Sequence, residues 1–384
     1  MQQYAKQIDL INMIDFSKVD FDLSIRTAIQ DKIQIKSKYS LTKLENILSN
    51  NGKGKRPASF ENISGEIVFY KSSQEIYKCD IADFNCEALI IGDGGTANVH
   101  YHNGQFSSSD HTYIFTQKDN SLLKFVYYFL SSNLKILNDE FTGIGIKNIS
   151  KTTINNIKIP LPPLEIQQQI VAECESVDNQ IQTLNNEIEE LQQQSQQLIN
   201  GVNAPLKPIK LIAEYTTERI AYKDTLPENY ITTDNMLQKY AGITKYDGIP
   251  NIESAILYKE NDILISNIRP YLRKIWFSNQ TGCCSADILV VRTKENADCL
   301  SKYLFCCLRR DDFFDYSMQN VKGMKMPRGN KEHIMNYQIP LPAIETQQKI
   351  ITKFERLQQT IQQNEQQIAT LKNEYNRILD KYLK

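Results

Sequence analysis

Several things are missing from this 384-residue sequence. No run of about 18 apolar residues occurs, so no helix is expected to span a membrane. The opening MQQYAKQIDL lacks a basic stretch followed by an apolar one, so no signal peptide is expected. There is one tryptophan and only four histidines. Eight cysteines, four of them in the adjacent pairs Cys283–Cys284 and Cys306–Cys307, make no disulfide framework and read as reduced thiols of a cytoplasmic protein. Enzyme signatures are missing as well. No G-x-x-x-x-G-K-[ST] phosphate loop, C-x-x-C, H-E-x-x-H or G-x-S-x-G is found. The only Pro-Pro pair follows Leu161, which removes the amino-methyltransferase tetrad, and no Glu-x-Lys exists to end a nuclease metal site. Cys79, Cys86, His100, His102 and His111 match no zinc spacing, so no metal and no catalytic residue is assigned. Net charge is −1, so any nucleic-acid role depends on how charge is distributed.

What the chain does contain is a repeat. Residues 159–171 read IPLPPLEIQQQIV and residues 339–351 read IPLPAIETQQKII, with eight of thirteen positions identical. The offset of 180 persists through Glu175/Glu355, Ile181/Ile361 and Ile188/Ile368, and upstream through Gly143/Gly323, Lys151/Lys331 and Asn156/Asn336. Farther upstream the halves match only in pattern. The strand-like runs EALII (87–91) and DILIS (262–266) correspond, as do the helix-like runs FVYYFL (125–130) and YLFCCL (303–308). The chain therefore reads as two copies of one α+β unit, each a diverged body followed by a similar tail.

The tails carry heptads. Ile181, Leu184, Ile188 and Leu191 lie on a seam running from Ile170 to Leu198, and Ile361, Ile368, Leu371 and Ile378 on a second from Ile350 to Tyr382. A helix of about 36 residues measures on the order of 54 Å. Residues 163–200 hold seven acids and no Lys or Arg, whereas residues 343–384 hold seven bases and five acids. That contrast suits antiparallel pairing of the two tails. Two ordinary amphipathic helices in separate bundles are the alternative. Asn364 on the second seam would fix register at some cost in stability.

The bodies offer basic, glycine-bearing loops. In the first body, Lys53, Lys55 and Arg56 lie in NNGKGKRP. The segment NVHYHNGQFSSSDH (98–111) reads as a hairpin turning at Asn103-Gly104, with Asn98, His100 and His102 able to reach base edges. GDGGT (92–96) reads as a tight turn between strands. In the second body, SNIRPYLRKIW (266–276) presents Asn267, Arg269, Tyr271, Arg273 and Lys274. VKGMKMPRGNK (321–331) adds Lys322, Lys325 and Arg328, opposite Lys147 of FTGIGIKNISK in the first body. Single basic residues usually serve solubility. Their recurrence in corresponding loops of both copies argues for a bipartite DNA reader.

The duplicated tails, DILISNIRP with its partner EALIIGDGG, and the Gly-bearing loop before Asn156-Ile157-Lys158-Ile159-Pro160 resemble the specificity subunits of type I restriction-modification systems. The resemblance implies two target recognition domains (36–158 and 203–338), each reading half of a split sequence in double-stranded DNA. They would be separated by two long helices (159–202 and 339–384) forming an antiparallel coiled coil with a pseudo-two-fold internal repeat. It implies that the helices set the spacer and dock two methyltransferase subunits that carry S-adenosylmethionine. Restriction subunits using ATP and Mg would add translocation and cleavage, and this chain would hold no cofactor and act in the cytoplasm. Residues 1–35 form an N-terminal extension with no counterpart in that layout. The competing readings are a specificity subunit of a type IIB or methylation-only system, and a coiled-coil adaptor that does not bind DNA.

Overall fold

A computed structural model describes residues 35–118, 121–143, 147–221, 223, 226–248 and 252–384. The expected N-terminal extension, save Ile35, lies outside the described residues. The chain divides into two units, one holding the described residues through 183 together with 367–384, the other residues 184–366.

The first unit runs β1 (Leu41–Lys43), α1 (Leu44–Ile47), β2 (Leu48–Lys53), β3 (Ile67–Tyr70), β4 (Ile76–Cys79), β5 (Phe84–Gly92), β6 (Val99–Ser108) and β7 (Thr112–Gln117). It continues through α2 (Leu123–Ser132), α3 (Leu134–Asn138), α4 (Lys151–Asn156) and β8 (Lys158–Pro160) into α5 (Leu164–Gln197). Six strands form one sheet in the order β2-β7-β5-β6-β3-β4. The two-residue period of β5 sorts its side chains by face. Leu89 and Ile91 join the core built with α2 and with Ile170, Cys174, Val177 and Ile378 of the tails, whereas Ala88 and Ile90 face Tyr70, Phe106 and Ile114.

The second unit runs β9 (Leu206–Pro208), α6 (Ile209–Ile212), β10 (Ala213–Tyr215), β11 (Arg219–Ala221), β12 (Tyr230–Ile231), β13 (Ser254–Tyr258), β14 (Ile263–Ser266), β15 (Ile275–Phe277), β16 (Gly282–Cys284) and β17 (Ile288–Thr293). After α7 (Ser301–Leu308) and α8 (Asp311–Met318) come β18 (Val321–Lys322), β19 (Arg328–Gly329), α9 (Lys331–Met335), β20 (Gln338–Pro340) and α10 (Ile344–Leu383). Two four-stranded sheets result, β10-β17-β14-β15 and β11-β13-β16-β12. Strand β14 repeats the sorting seen in β5: Ile263 and Ile265 pack with α7 and with Ile351 and Phe354, while Leu264 faces Tyr258 and Val290.

Repeated joints explain why the tails are alike. The Ile-Pro residues before each proline-rich approach are strands, not helix: β8 pairs antiparallel with β1 (Thr42 opposite Ile159) and β20 with β9 (Lys207 opposite Ile339). Helices α2 and α7 both begin without a side-chain cap. A glutamine of the following tail reaches the backbone there instead. Leu122 N donates to Gln167 Oε1 at 2.9 Å and Leu300 N to Gln347 Oε1 at 2.9 Å. The Nε2 of each glutamine donates to a proline carbonyl five residues upstream, Pro162 or Pro342, at 2.9 Å. Both amides are fully buried. Lys124 pairs with Glu175 as Lys302 does with Glu355.

Long helices α5 and α10 each contribute to both units. Within the first unit their direction is antiparallel: Lys381 pairs with Glu173 at 2.6 Å and Tyr375 donates to Asp178 at 2.5 Å. Of the seam residues, Leu184, Ile188, Ile361, Ile368 and Ile378 are buried and Ile181, Leu191 and Leu371 half-buried. Asn364 is also buried, and its Nδ2 finds no acceptor among the described residues.

One expectation is corrected. Residues 98–111 do not form a hairpin at Asn103-Gly104. Strand β6 passes straight through, with Asn103 opposite Glu87 and Gly104 opposite Cys86 on β5. The turn is made earlier, by 93–98, where GDGGT was expected to make one.

Candidate nucleic-acid interface

At the end of β14 the chain leaves the sheet through Asn267–Arg269 and a short 3-10 turn, Pro270–Leu272. The β18–β19 hairpin lies against this exit: Arg269 N donates to Pro327 O at 2.7 Å and Gly329 N to Asn267 O at 3.0 Å. At the end of β5 the first unit does the same. Gly95 N donates to Lys147 O and Ile149 N to Asp93 O, both at 2.9 Å. The loop-side partners, Pro327 and Lys147 or Gly329 and Ile149, differ by 180 in number and the strand-exit partners by 174, so both bodies share one clasp between the central-strand exit and the loop before a short helix. Those helices are capped alike. Ser150 Oγ accepts from Thr153 N at 3.1 Å, and Asn330 Oδ1 accepts from Glu332 N and His333 N at 3.0 and 3.2 Å. Each clasp turns on a left-handed residue, Gly95 (φ 78°) or Arg269 (φ 50°). An arginine there carries backbone strain that glycine avoids.

The clasp of the second body gathers much of the basic surface expected there. Lys322, Lys325, Arg328 and Tyr271 are exposed. Arg328 pairs with Asp287 at 3.0 Å. Arg269 is half-buried, and among the described residues its Nε is enclosed without an acceptor, as is Asn267 Oδ1 without a donor. Arg273 and Lys274 point elsewhere. Arg273 pairs with Asp311 at 3.0 Å, and Lys274 Nζ donates to Thr233 O at 2.5 Å, where burial pulls its ammonium pKa down. Both side chains hold this body together.

In the first body Lys147 and Lys55 are exposed, with Lys55 4.9 Å above the Phe84 ring. Lys53 lies 2.5 Å from the nearly buried Asp93, whose other oxygen is 3.2 Å from His111 Nδ1. The Asp93 hydrogen bond raises the Lys53 pKa against a smaller effect of desolvation. Arg56 forks onto Asp83, Nε to Oδ2 at 2.8 Å and Nη2 to Oδ1 at 2.7 Å, and Ser107 Oγ also donates to that carboxylate at 2.8 Å. This fork, with Ser107, holds the Asp83 carboxyl below its ordinary range.

Asn98 and His100, expected to read bases, are corrected on position. Both are buried. Asn98 Nδ2 donates to Thr96 O at 3.0 Å, and His100 Nε2 lies 2.7 Å from Ser73 O with its ring 4.9 Å from that of Tyr70. His102 is half-buried, its Nδ1 3.0 Å from Tyr70 Oη and its Nε2 3.1 Å from Gln105 O. Burial lowers the pKa of both imidazoles. His100 and His102 sit on β6 and Asn98 just before it, and Asn98 Nδ2 and both imidazoles are spent on the protein itself. Asp83, Asp93, Gln167 and Gln347 went unassigned from the sequence. Only the two glutamines left a signal there, their identity at offset 180.

A duplicated sheet-and-helix body, each copy latched to a long helix and carrying a loop clasp with exposed cations, defines a two-module DNA-specificity protein. The profile of the type I restriction modification DNA specificity domain matches residues 36–193 and again 209–373. The chain belongs to that family, with two copies of its domain. It is 21% identical over 354 residues to the type I restriction enzyme EcoDI specificity subunit of Escherichia coli, spanning 79% of this chain and 78% of that one. It is 36% identical over 107 residues to the MjaVIII specificity subunit of Methanocaldococcus jannaschii, 27% of this chain and 25% of that one. The crystal structure of the type I restriction-modification S subunit from M. genitalium superposes with a TM-score of 0.52 at 14% identity. It covers 92% of this chain and 98% of that one, and so shares the fold. Among the described residues no helix is long and apolar enough to cross a membrane, and no three His, Cys, Asp or Glu side chains converge as a metal site would require.

Proposed function

We propose that this chain is the sequence-reading, non-catalytic subunit of a type I restriction-modification complex, each body reading one half of a split target in double-stranded DNA. The observation that carries this is the clasp repeated in both bodies. One scaffold is kept in both bodies while the side chains mounted on it differ, as two readers of two different half-sites require. Lys322, Lys325 and Arg328 in one body and Lys147 and Lys55 in the other supply phosphate affinity, while Arg269 and Tyr271 stand where base edges are read. The tails dock two methyltransferase subunits, which bring S-adenosylmethionine, and restriction subunits bring ATP and Mg. The complex acts in the cytoplasm, where the DNA is.

The test is methylome sequencing of a methylation-null host expressing the cognate methyltransferase subunit with and without this chain. A split motif with a fixed spacer is expected only when the chain is present. Identical methylomes, or no methylation despite a folded complex, would refute the assignment.

A further inference from the structure

The β18–β19 hairpin ends in an unusual tip. Lys322 pairs with Arg328 across the ladder, and the five residues Gly323-Met324-Lys325-Met326-Pro327 turn between them. Gly323 starts the turn at φ 88°, which suits glycine. Met324 has 102% relative exposure and Met326 51%, so two thioether side chains stand in water between Lys322, Lys325 and Arg328. A lone exposed apolar residue needs no explanation. Ile63, at 95%, is such a case, set between Glu61 and Glu66 in an acidic loop that DNA would avoid. Met324 differs because cations surround it and because the hairpin is fixed at its base, through Pro327 O and Gly329 N, to the loop bearing Arg269 and Tyr271. In the first body the sequence at the same offset reads Gly143-Ile144-Gly145-Ile146-Lys147, again apolar at the first and third positions after the glycine.

We propose that Met324 is an apolar wedge that enters the base stack of bound DNA beside the half-site read by the second body. Lysines on both sides hold the phosphates, and the thioether fills the gap between two bases when one step unstacks. Unbranched apolar side chains on a rigid hairpin suit this: they part a base step and kink the duplex, and the deformability of that step then adds to sequence preference. The wedge rests on the DNA-reading assignment above and adds to it a distortion of the target.

The experiment uses the complex of the full chain with its methyltransferase on duplexes bearing the motif found by methylome sequencing. 2-Aminopurine is placed at one position at a time through the half-site and its flanks. With the native chain, fluorescence is expected to rise at one step beside the second body. That rise disappears in M324A and M324Q, persists in M324L, and its loss accompanies a weakening of specific binding on the order of tenfold. Any signal from base flipping by the methyltransferase stays the same in all four proteins. Because Met324 is fully exposed, all four should also share one unfolding midpoint. Specific binding with no Met324-dependent step would overturn the wedge alone. Failure of the methyltransferase to co-purify with M324Q would reassign the tip to a protein contact and overturn it as well. Failure of the native complex to bind its motif would overturn the DNA-reading assignment on which the wedge depends.

Discussion

Buried polar side chains define this molecule at the scale of single residues, because each one left unsatisfied costs more than a typical surface interaction returns. Gln347 is the clearest case, accepting from Leu300 N and donating to Asp298 O and Pro342 O at 2.8 and 2.9 Å with no exposure to water. Q347A strands that donor and both carbonyls and leaves a gap. It is expected to lower unfolding free energy by about 2–3 kcal/mol in urea titration. Q167A should cost a similar amount in the first unit, and a loss under about 0.5 kcal/mol from either would sink the latch. The Arg56–Asp83 fork makes a pH prediction. Asp83 has a carboxyl pKa lowered by Arg56 first and by Ser107 next. A depressed folded-state value adds stability that is complete above the unfolded-state pKa of about 3.9 and is lost as pH falls through the lower folded value. D83N should therefore be less stable than the native chain at neutral pH, with the gap closing below about pH 4. Parallel stability curves for the two proteins across that range would show that the fork contributes nothing.

Individual elements show how far the sequence alone could be read. The tails were legible because both copies perform the same three tasks. A strand pairs through Ile159 or Ile339, a glutamine latches a body helix, and a heptad seam pairs with the other helix. The strands EALII and DILIS were also legible, since two-residue sorting leaves an apolar run in either copy. The Asn103-Gly104 signal misled, because a turn dipeptide reports only local preference. Here the nine-residue β5 pairs along β6 well past it, and the chain had already reversed at 93–98. The burial of Asn98 and His100 was invisible for a related reason: the segment following β3, about 25 residues upstream, closes over them, with Ser72 Oγ 3.5 Å from Asn98 Nδ2 and Ser73 O 2.7 Å from His100 Nε2. The clasps were half legible, their basic loops evident but the hydrogen bonds joining them not. Among the helices, Asn364 yields the next prediction. It is a buried seam residue whose Nδ2 has no acceptor among the described residues. N364L should raise unfolding free energy by about 1–2 kcal/mol and relax the register that the polar group enforces. A destabilised N364L would mean that the amide is satisfied by water or a partner helix.

For the whole molecule, the question is what two similar bodies gain from sharing one pair of helices. If each body reads one half-site, the helices α5 and α10 set which pairs of half-sites can be read together, and helix length becomes a term in specificity that no base contact supplies. The pairs Glu173–Lys381 and Asp178–Tyr375 fix the antiparallel register. If that register continues along the heptads, residues 184–190 match about 363–369 of α10, and deletion of both heptads together preserves the seam. Each deletion removes two turns and about 10.5 Å, the rise of about three base pairs of DNA. Two turns leave the faces of the coiled coil in phase, whereas three base pairs rotate the duplex by about 100°. Length and phase cannot both be met, so the methylome of the doubly deleted chain should show both half-sites unaltered, a spacer shortened by at most about three base pairs, and fewer sites modified. An unchanged spacer at full efficiency would mean that the bodies find their half-sites independently of the helices. Altered half-sites would mean that the helices shape the reading loops as well as linking them.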